Sequence, residues 1–238
     1  MKNIQLVVTC EHGGNEVPDE FEDYFFDQRN VLNTHRGYDL GALDLARSIA
    51  AVQGCSLFSN TMTRLLVDCN RSLHNQSLFS EFTWPLKSAL RTEIIRKYYH
   101  PYRSLVERTV ETGIRSGDVV FHLSVHSFTD HFNGSVREGK LGILFDPDRE
   151  QESSCAASWL SVFHSIAPEV DVRPNYPYLG IDDGFTTYLR QKHPTHYIGI
   201  ELEVSQGWLR EGHAKKIQEL INLSLTKLKG HFQIENWN

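Results

Sequence analysis

Cysteine is scarce in this chain of 238 residues, and its four copies lie far apart. Cys10, Cys55, Cys69 and Cys155 include no C-x-x-C pair. This spacing indicates neither a cysteine zinc site nor a disulfide framework. We interpret Cys10 and Cys69 as small buried hydrophobic residues and assign them no catalytic role.

Long apolar runs are missing as well. No stretch approaches the roughly 20 residues that a membrane span needs. The charged and polar start, Met1-Lys2-Asn3, is not followed by the apolar region of a signal peptide. We therefore expect a cytoplasmic protein that has no membrane partner.

The chain also lacks an excess of basic residues. Its formal net charge is −6, and no cluster of lysine and arginine appears. Because phosphate binding needs a basic face, nucleic acid is excluded as a general partner. Internal repeats, low-complexity tracts and long linkers are absent too, and the length suits a single domain, which we predict over 1–238.

What the chain does contain is an alternation of apolar strand-like runs with segments of helical periodicity. The predicted strands are 4–10, 55–59, 63–68, 118–125, 141–145 and 196–203. The predicted helices are 40–52, 85–114, which Pro101 interrupts, 152–165, 186–192 and 214–229. Near-continuous apolar strands separated by helices indicate an α/β fold whose parallel or mixed sheet is covered on both faces.

Polar side chains follow several of these strands where they end. His12 comes just after the first strand, His126 follows the fourth, and Glu201 and Glu203 close the last. In such sheets ligands bind outside the carboxyl ends of the strands. Two imidazoles and a carboxylate there favour a metal-assisted hydrolase, because zinc takes nitrogen and oxygen ligands and keeps one position for water.

The run from Leu65 to Arg71 brings a carboxylate, an amide and a guanidinium to one loop within four residues. These are Asp68, Asn70 and Arg71. Arginine suits a carboxylate better than lysine does, because its planar fork binds both oxygens. The loop therefore predicts an anchor for the carboxylate of a substrate.

Five stretches resemble the N-formylglutamate amidohydrolase family. They are 10–18 (CEHGGNEVP), 37–42 (GYDLGA), 64–71 (RLLVDCNR), 124–127 (SVHS) and 199–204 (GIELEV). The similarity runs from residue 7 to about residue 207. This family is distantly similar to zinc carboxypeptidases and aspartoacylase. The resemblance implies a three-layer, phosphorylase/hydrolase-like α/β fold and metal-dependent cleavage of an amide bond beside a carboxylate.

The resemblance also implies a set of metal ligands. His12 and His126 match the two histidine ligands, and Asp39 is the preferred third ligand. Carboxypeptidases take a carboxylate three residues after the first histidine, but this chain has Asn15 there and Glu16 one position further. Asp39 and Glu16 both complete a two-nitrogen, one-oxygen set that suits a single zinc ion.

Further roles follow from the same resemblance. Glu203 matches the general base, with Glu201 as the alternative because it shares the same strand face. Arg64 is expected to polarise the scissile carbonyl or to bind a second carboxylate. Asp68 is expected to orient Arg71 or a ligand histidine rather than to react.

The carboxylate anchor has two expected parts. Asn70 and Arg71 would bind the α-carboxylate of the substrate, as the similar segment does in carboxypeptidases. Residues 178–190 also resemble a family segment, and Arg190 is a candidate to meet a distal carboxylate. The competing interpretation of that segment is a turn followed by a helix N-terminus near Thr186.

The sequence thus predicts a zinc-dependent amidohydrolase that acts on a small N-acyl amino acid, with N-formyl-L-glutamate as the substrate that the resemblance implies. Two alternatives stay open. One is a carboxypeptidase-like peptidase. The other is a non-catalytic small-molecule binding protein that keeps only the carboxylate anchor. The oligomeric state is left open by the sequence.

Overall fold

A computed structural model describes residues 3–132 and 134–234 of the chain. It contains eight described strands: β1 (Ile4–Cys10), β2 (Ser56–Ser59), β3 (Val119–Phe128), β4 (His131–Phe132), β5 (Ser135–Val136), β6 (Leu141–Leu144), β7 (Val172–Pro174) and β8 (Tyr197–Ser205). Six of them form one sheet in the order β2-β1-β3-β8-β6-β7. All neighbouring pairs in this sheet are parallel except β6 with β8, which is antiparallel. The mixed, mostly parallel sheet that the sequence predicts is therefore confirmed.

The described α-helices are α1 (Arg29–Leu32), α2 (Ala42–Gln53), α3 (Ser88–Ile94), α4 (His100–Arg115), α5 (Glu150–Ile166), α6 (Phe185–Lys192), α7 (Gln206–Trp208) and α8 (Ala214–Ile234). A 3-10 helix covers Asp19–Phe25, and π-helical segments cover Ile95–Tyr99 and Leu209–His213. In the described part of the chain no helix is both long and apolar enough to cross a membrane.

Helices cover both faces of the sheet, which makes three layers. Leu6 and Val8 of β1 pack in one cluster with residues of α2, α5 and α8. Val7, between them, packs with residues of α4 and α6 in another cluster. Because successive side chains of a strand point to opposite faces, one apolar run supplies both layers of the core.

The predicted strand at 63–68 is wrong, because this segment is a turn. The amide of Leu66 donates to the carbonyl oxygen of Thr63 at 3.0 Å, and the amide of Asp68 donates to that of Leu78 at 2.9 Å. The hydroxyl of Thr83 donates to the carbonyl oxygens of Leu65 and Leu66, so the turn needs no neighbouring strand. Its apolar side chains are buried in a separate cluster with Phe21, Phe25 and Ile94. A short buried run of this kind has no periodicity that separates strand from turn.

Other boundaries differ from the prediction. Pro101 does not break the helix at 85–114, because α3, the π-helical segment and α4 follow one another directly from Ser88 to Arg115. The π-helical segment, whose turn is wider than that of an α-helix, ends just before Pro101. Its irregular geometry accommodates the hydrogen bond that proline, which has no backbone N–H, cannot donate. The short strand β7 and the hairpin of β4 and β5 were not predicted, because they are too short to show a pattern. Strand β3 extends to Phe128, so His126 lies within the strand.

Candidate active site

Three neighbouring strands carry the candidate residues to one edge of the sheet. His12 lies two residues beyond the end of β1, and His126 and Glu203 lie near the ends of β3 and β8. His126 and Glu203 are direct partners in the register of β3 and β8. All three side chains are buried. The parallel pairing of these strands therefore brings together residues that are up to 191 positions apart in the chain.

Asp39 reaches this edge from the loop before α2. The backbone amide of Asp39 donates to the carbonyl oxygen of His12 at 2.9 Å, and the hydroxyl of Ser127 donates to that of Leu40 at 2.8 Å. Gly41 then turns the chain into α2 with a φ of 76°, a conformation that glycine adopts without strain. These bonds tie the loop to both histidine-bearing segments.

His12, Asp39 and His126 form one compact buried cluster. Oδ2 of Asp39 lies 2.8 Å from Nδ1 of His126 and 3.4 Å from Nδ1 of His12. One ligand atom from each residue lies within 4.8 Å of the others, as a shared metal ion requires. Glu16 is not part of the cluster, because its exposed carboxylate accepts a hydrogen bond from the hydroxyl of Thr61 at 2.7 Å.

Each histidine has its second ring nitrogen held by other polar groups. Nε2 of His12 lies 2.7 Å from Oδ1 of Asp68. Nε2 of His126 lies 2.9 Å from Oγ of Ser124 and 3.3 Å from Oε2 of Glu11. Histidine metal ligands commonly bind a carboxylate through the nitrogen that does not face the metal. Both histidines thus present Nδ1 to the shared space beside Asp39.

The charges of the cluster favour a bound cation. Burial raises the pKa of Asp39, but the charges and hydrogen bonds of His12 and His126 outweigh it and hold that pKa well below its usual range. Burial likewise opposes the ionisation of Glu11 and Asp68, whose pKa values are lowered by His126 and by Arg64 respectively. Burial lowers the pKa of His126, yet hydrogen bonds with Asp39 and Glu11 raise it well above its ordinary value. Three ionised carboxylates around two imidazoles thus attract either protons or a metal ion.

The donor set fits zinc. Two imidazole nitrogens and one carboxylate oxygen are a common ligand set of catalytic zinc sites, which leave a further position for water or substrate. The carboxylates of Asp68 and Glu11 contact Nε2 of His12 and His126, as the outer hydrogen-bond partners of metal-bound histidines commonly do.

Glu203 and Glu201 differ in their surroundings although they share one face of β8. Oε1 of Glu201 accepts a close hydrogen bond from the hydroxyl of Thr186. Oε2 of Glu203 is buried without a hydrogen-bond partner among the described residues. Burial raises the pKa of Glu203 to about 8, with the charge of Asp39 adding to the effect and that of His126 opposing it. A buried carboxyl with a pKa near neutrality is suited to proton transfer.

The predicted carboxylate anchor lies in the same cavity. The amide oxygen of Asn70 accepts from the backbone amide of Phe185 at 2.7 Å. Nη1 of Arg71 donates to the carbonyl oxygen of Asp183. Nη2 of Arg64 donates to Oδ2 of Asp68 at 2.7 Å, and its Nη1 lies 3.5 Å from Oδ1 of Asp39. Arg64 therefore connects the anchor loop with the histidine cluster.

The structure does not bring Arg190 to this site. Arg190 is buried, and its Nε lies 3.0 Å from both carboxylate oxygens of Glu152. Its remaining nitrogens donate to the carbonyl oxygens of Gly180 and Gly199 and to the hydroxyl of Thr187. The arginine faces the interior because Glu152 of α5 lies beneath α6, a contact that the sequence of α6 does not show.

The cavity has a volume of about 520 Å³, which is in the usual range for small-molecule sites. Residues that line it include the candidate ligands, both glutamates of β8, the arginines Arg36, Arg64 and Arg71, and residues 178, 179, 182 and 183 of the loop before α6. A small polar molecule would meet positive charge on one part of the wall and the histidine cluster on another.

Glu11 and Ser124 contact His126 but are not among the site residues that the sequence predicts. Glu11 lies next to His12 in the 10–18 motif, and Ser124 lies two residues before His126 in the 124–127 motif. On a strand, residues two positions apart share a face, so the pair of Ser124 and His126 had a detectable signal. The contact of Glu11 with His126 joins the residue after β1 to β3 and has no such local signal.

Comparison with known proteins agrees with this architecture. A model of the N-formylglutamate amidohydrolase family matches residues 4–206. No protein of curated function matches the chain. A solved gene product from Agrobacterium tumefaciens is similar, with a TM-score of 0.83, 24% identity and coverage of 96% of this chain and 92% of that one. An N-formylglutamate amidohydrolase from Ralstonia eutropha gives a TM-score of 0.70, 17% identity and coverage of 96% and 94%. At these identities the two structures support the fold alone.

Proposed function

The chain belongs to the N-formylglutamate amidohydrolase family, a family of hydrolases, and from this we propose that it is a zinc-dependent enzyme that converts N-formyl-L-glutamate to formate and glutamate. One observation carries the proposal. His12, Asp39 and His126 converge within 4.8 Å of one another in a cavity that Glu203 and Arg71 also line. Metal ligands, a base and a carboxylate anchor thus share one space.

Nδ1 of His12, Nδ1 of His126 and the carboxylate of Asp39 are the groups that would hold the metal. When bound, a divalent cation there polarises the scissile carbonyl and acidifies water. The described residues hold the imidazoles in place through Asp68, Ser124 and Glu11, which limits their reorganisation when a metal binds.

Glu203 is the proposed general base. Its unpartnered Oε2 takes a proton from water as the water oxygen adds to the formyl carbon. The same carboxyl then gives the proton to the amide nitrogen as the carbon–nitrogen bond breaks. The remaining proton of the formic acid passes to the amine, which gives formate and the ammonium group of glutamate. Glu201 is less suited to this role, because Thr186 already occupies one of its oxygens.

Arg71 and Asn70 are proposed to fix the substrate α-carboxylate. The backbone carbonyl oxygen of Arg71 accepts from the hydroxyl of Tyr99 at 2.7 Å and from Arg103 at 3.2 Å, which places the residue firmly. The amide oxygen of Asn70 is taken by Phe185, so its NH2 group is the part available to a carboxylate. Arg64 adds positive charge beside Asp39 and is proposed to polarise the carbonyl or meet a second carboxylate.

A carboxypeptidase-like activity would need room for a peptide. Residues 178, 179, 182 and 183 form part of the cavity wall, which favours a short N-acyl amino acid over a long chain. A peptide that ends in glutamate should therefore be hydrolysed more slowly than N-formyl-L-glutamate. Comparing the two substrates, with N-acetyl-L-glutamate as a third, measures this preference.

The experiment that tests the proposal measures formate released from N-formyl-L-glutamate by the purified protein. Activity should disappear on chelation, return with zinc and be absent in His126→Ala. His164→Ala is the matched control, because His164 is an exposed histidine of α5, outside the residues that line the cavity.

Three other outcomes would contradict parts of the proposal. Release that neither chelation nor His126→Ala affects would exclude metal dependence. Stoichiometric zinc binding without formate release would exclude N-formyl-L-glutamate as the substrate. A protein that neither binds zinc nor releases formate would favour the alternative of a non-catalytic binding protein.

A further inference from the structure

A buried polar chain lies behind His126, outside the residues that line the cavity. Glu11 is fully buried, and its Oε2 lies 3.3 Å from Nε2 of His126. Its Oε2 also accepts from the hydroxyl of Ser124 at 2.6 Å, and its Oε1 accepts from the hydroxyl of Tyr102 at 3.0 Å. None of Glu11, Ser124 and Tyr102 lines the cavity, and the side chains of Glu11 and Ser124 contact the site at Nε2 of His126.

The direction of the hydrogen bonds in this chain follows from the groups involved. Ser124 has a single hydroxyl hydrogen, and it is directed at Glu11. The oxygen of Ser124 is therefore left to accept, and Nε2 of His126 lies 2.9 Å from it. An N–H at Nε2 completes the chain and leaves the lone pair of the imidazole on Nδ1, which faces Asp39 at 2.8 Å.

We propose that Glu11 is a positioning residue that, through Ser124, holds His126 with its hydrogen on Nε2 and its lone pair on Nδ1, ready to bind the metal. This inference rests on the proposed metal site and goes beyond the ligand set. Asn70 favours the opposite arrangement, with the hydrogen on Nδ1 and the lone pair on Nε2. Its NH2 group lies 3.4 Å from Nε2 and would donate to a lone pair there. Glu11 decides between the two arrangements of the ring.

The variant Glu11→Gln tests this directly, since it keeps the shape but replaces one accepting oxygen with an NH2 group. The amide can still accept from Tyr102 while donating to the oxygen of Ser124. The hydroxyl of Ser124 would then donate to Nε2, which moves the imidazole hydrogen to Nδ1. Zinc affinity, measured by competition with a chelating dye, should fall about 10- to 100-fold.

Two further variants separate this role from simple packing. Ser124→Ala removes the relay but leaves Glu11 at 3.3 Å from Nε2, so zinc affinity should fall less than in Glu11→Gln. Tyr102→Phe keeps the charge of Glu11 and removes a hydroxyl that donates to Glu11 at 3.0 Å and lies 3.4 Å from the carbonyl oxygen of Phe58, so zinc affinity should stay close to that of the unmodified protein. Equal losses in all three variants would indicate a packing effect and overturn the proposal.

The tautomer itself can be measured in the unmodified protein, which protects the test from a variant that does not fold. In zinc-loaded protein labelled with 15N-histidine, the His126 ring should show its N–H at Nε2. A hydrogen on Nδ1 would overturn the proposal, as would a Glu11→Gln protein that binds zinc as tightly as the unmodified one. Zinc binding of the expected strength without formate release would instead count against the proposed substrate and leave this inference standing.

Discussion

Oδ1 of Asp68 lies 2.7 Å from Nε2 of His12, so a residue of the carboxylate-anchor loop holds a residue of the histidine cluster. The other oxygen of Asp68 accepts from Arg64 at 2.7 Å. The backbone amide of Asn70 also donates to Oδ1 of Asp68, at 2.9 Å. The proposed metal site and the proposed substrate anchor are therefore connected through one buried carboxylate.

Replacing this carboxylate by its neutral isostere should weaken metal binding. In Asp68→Asn, the single amide oxygen can accept from His12 or from Arg64 but not from both, and Arg64 loses the closer of its two charge partners. We expect zinc affinity to fall about 10- to 100-fold, measured by isothermal titration calorimetry. An exposed aspartate, as in Asp44→Asn, is the matched control. Unchanged zinc affinity in Asp68→Asn would show that Asp68 does not orient His12.

Glu203→Gln should remove catalysis and keep the metal. The amide cannot accept a proton, so kcat for formate release should fall about 100- to 10,000-fold, while zinc affinity stays near that of the unmodified protein. Glu201→Gln is the comparison variant, because it shares the same face of β8 and bonds to Thr186. A larger loss of kcat in Glu201→Gln would assign the base to Glu201 instead.

Arg71→Lys should affect substrate binding more than the chemical step. Lysine keeps the charge but cannot bind both carboxylate oxygens in a fork. We expect KM to rise about tenfold or more, in line with roughly 1.5–3 kcal/mol for a hydrogen bond to a charged group, with a smaller change in kcat. Arg108→Lys, on the exposed face of α4, should leave both constants unchanged. An unaltered KM in Arg71→Lys would exclude Arg71 as the anchor.

Arg190 should matter for stability. Arg190→Ala removes the closer of two arginines that pair with the buried Glu152. Nε of Arg190 lies 3.0 Å from both carboxylate oxygens of Glu152, whereas Nε of Arg149 lies 3.2 Å from one of them. Breaking a buried pair in this way costs about 3–5 kcal/mol of the free energy of unfolding, measured by urea denaturation. The fraction that stays folded should keep the KM of the unmodified protein. A stable Arg190→Ala with a raised KM would restore Arg190 as a substrate-binding residue.

His122 should make the protein less stable in mild acid. Burial lowers its pKa from 6.5 to about 4, while its ring bonds Thr9 at 2.8 Å and Tyr197 at 2.6 Å. The titratable and charged groups that face it are Tyr197, Glu11, Arg190 and His126. Below pH 6.5 the unfolded chain binds a proton that the folded protein excludes. The free energy of unfolding should therefore fall as the pH drops towards 4, by up to about 3 kcal/mol from this residue, and level off below.

The measurement is urea denaturation of the metal-free protein between pH 7 and pH 4.5, beside His122→Gln. The variant lacks this titration, so the free energy of unfolding should depend less steeply on pH. His164→Ala, which removes an exposed histidine, should keep the steeper dependence. Identical pH dependence in the His122→Gln variant and the unmodified protein would contradict the assigned pKa of His122.

The sequence by itself determined the layers of the fold and the residues that had to be considered. The apolar runs of β1, β3 and β8 and the periodicity of α2 and α8 are local patterns, since each reflects which side chains of one element are buried. The motifs around His12, Asp39, Asn70 and His126 likewise stand as short stretches of sequence. The pattern failed at 63–68, because a buried turn and a buried strand are equally apolar over six residues.

The tertiary structure decided which of these residues meet. Asp39 rather than Glu16 lies with the two histidines. Thr186 donates a hydrogen bond to Glu201, whereas Oε2 of Glu203 has no partner among the described residues. Arg190 points to the buried Glu152. Each outcome depends on a contact between segments that are distant in the chain, such as Glu11, just after β1, with Ser124 of β3. Such contacts depend on strand order and loop paths. They leave no periodicity in the sequence, because periodicity records only the burial of one element at a time.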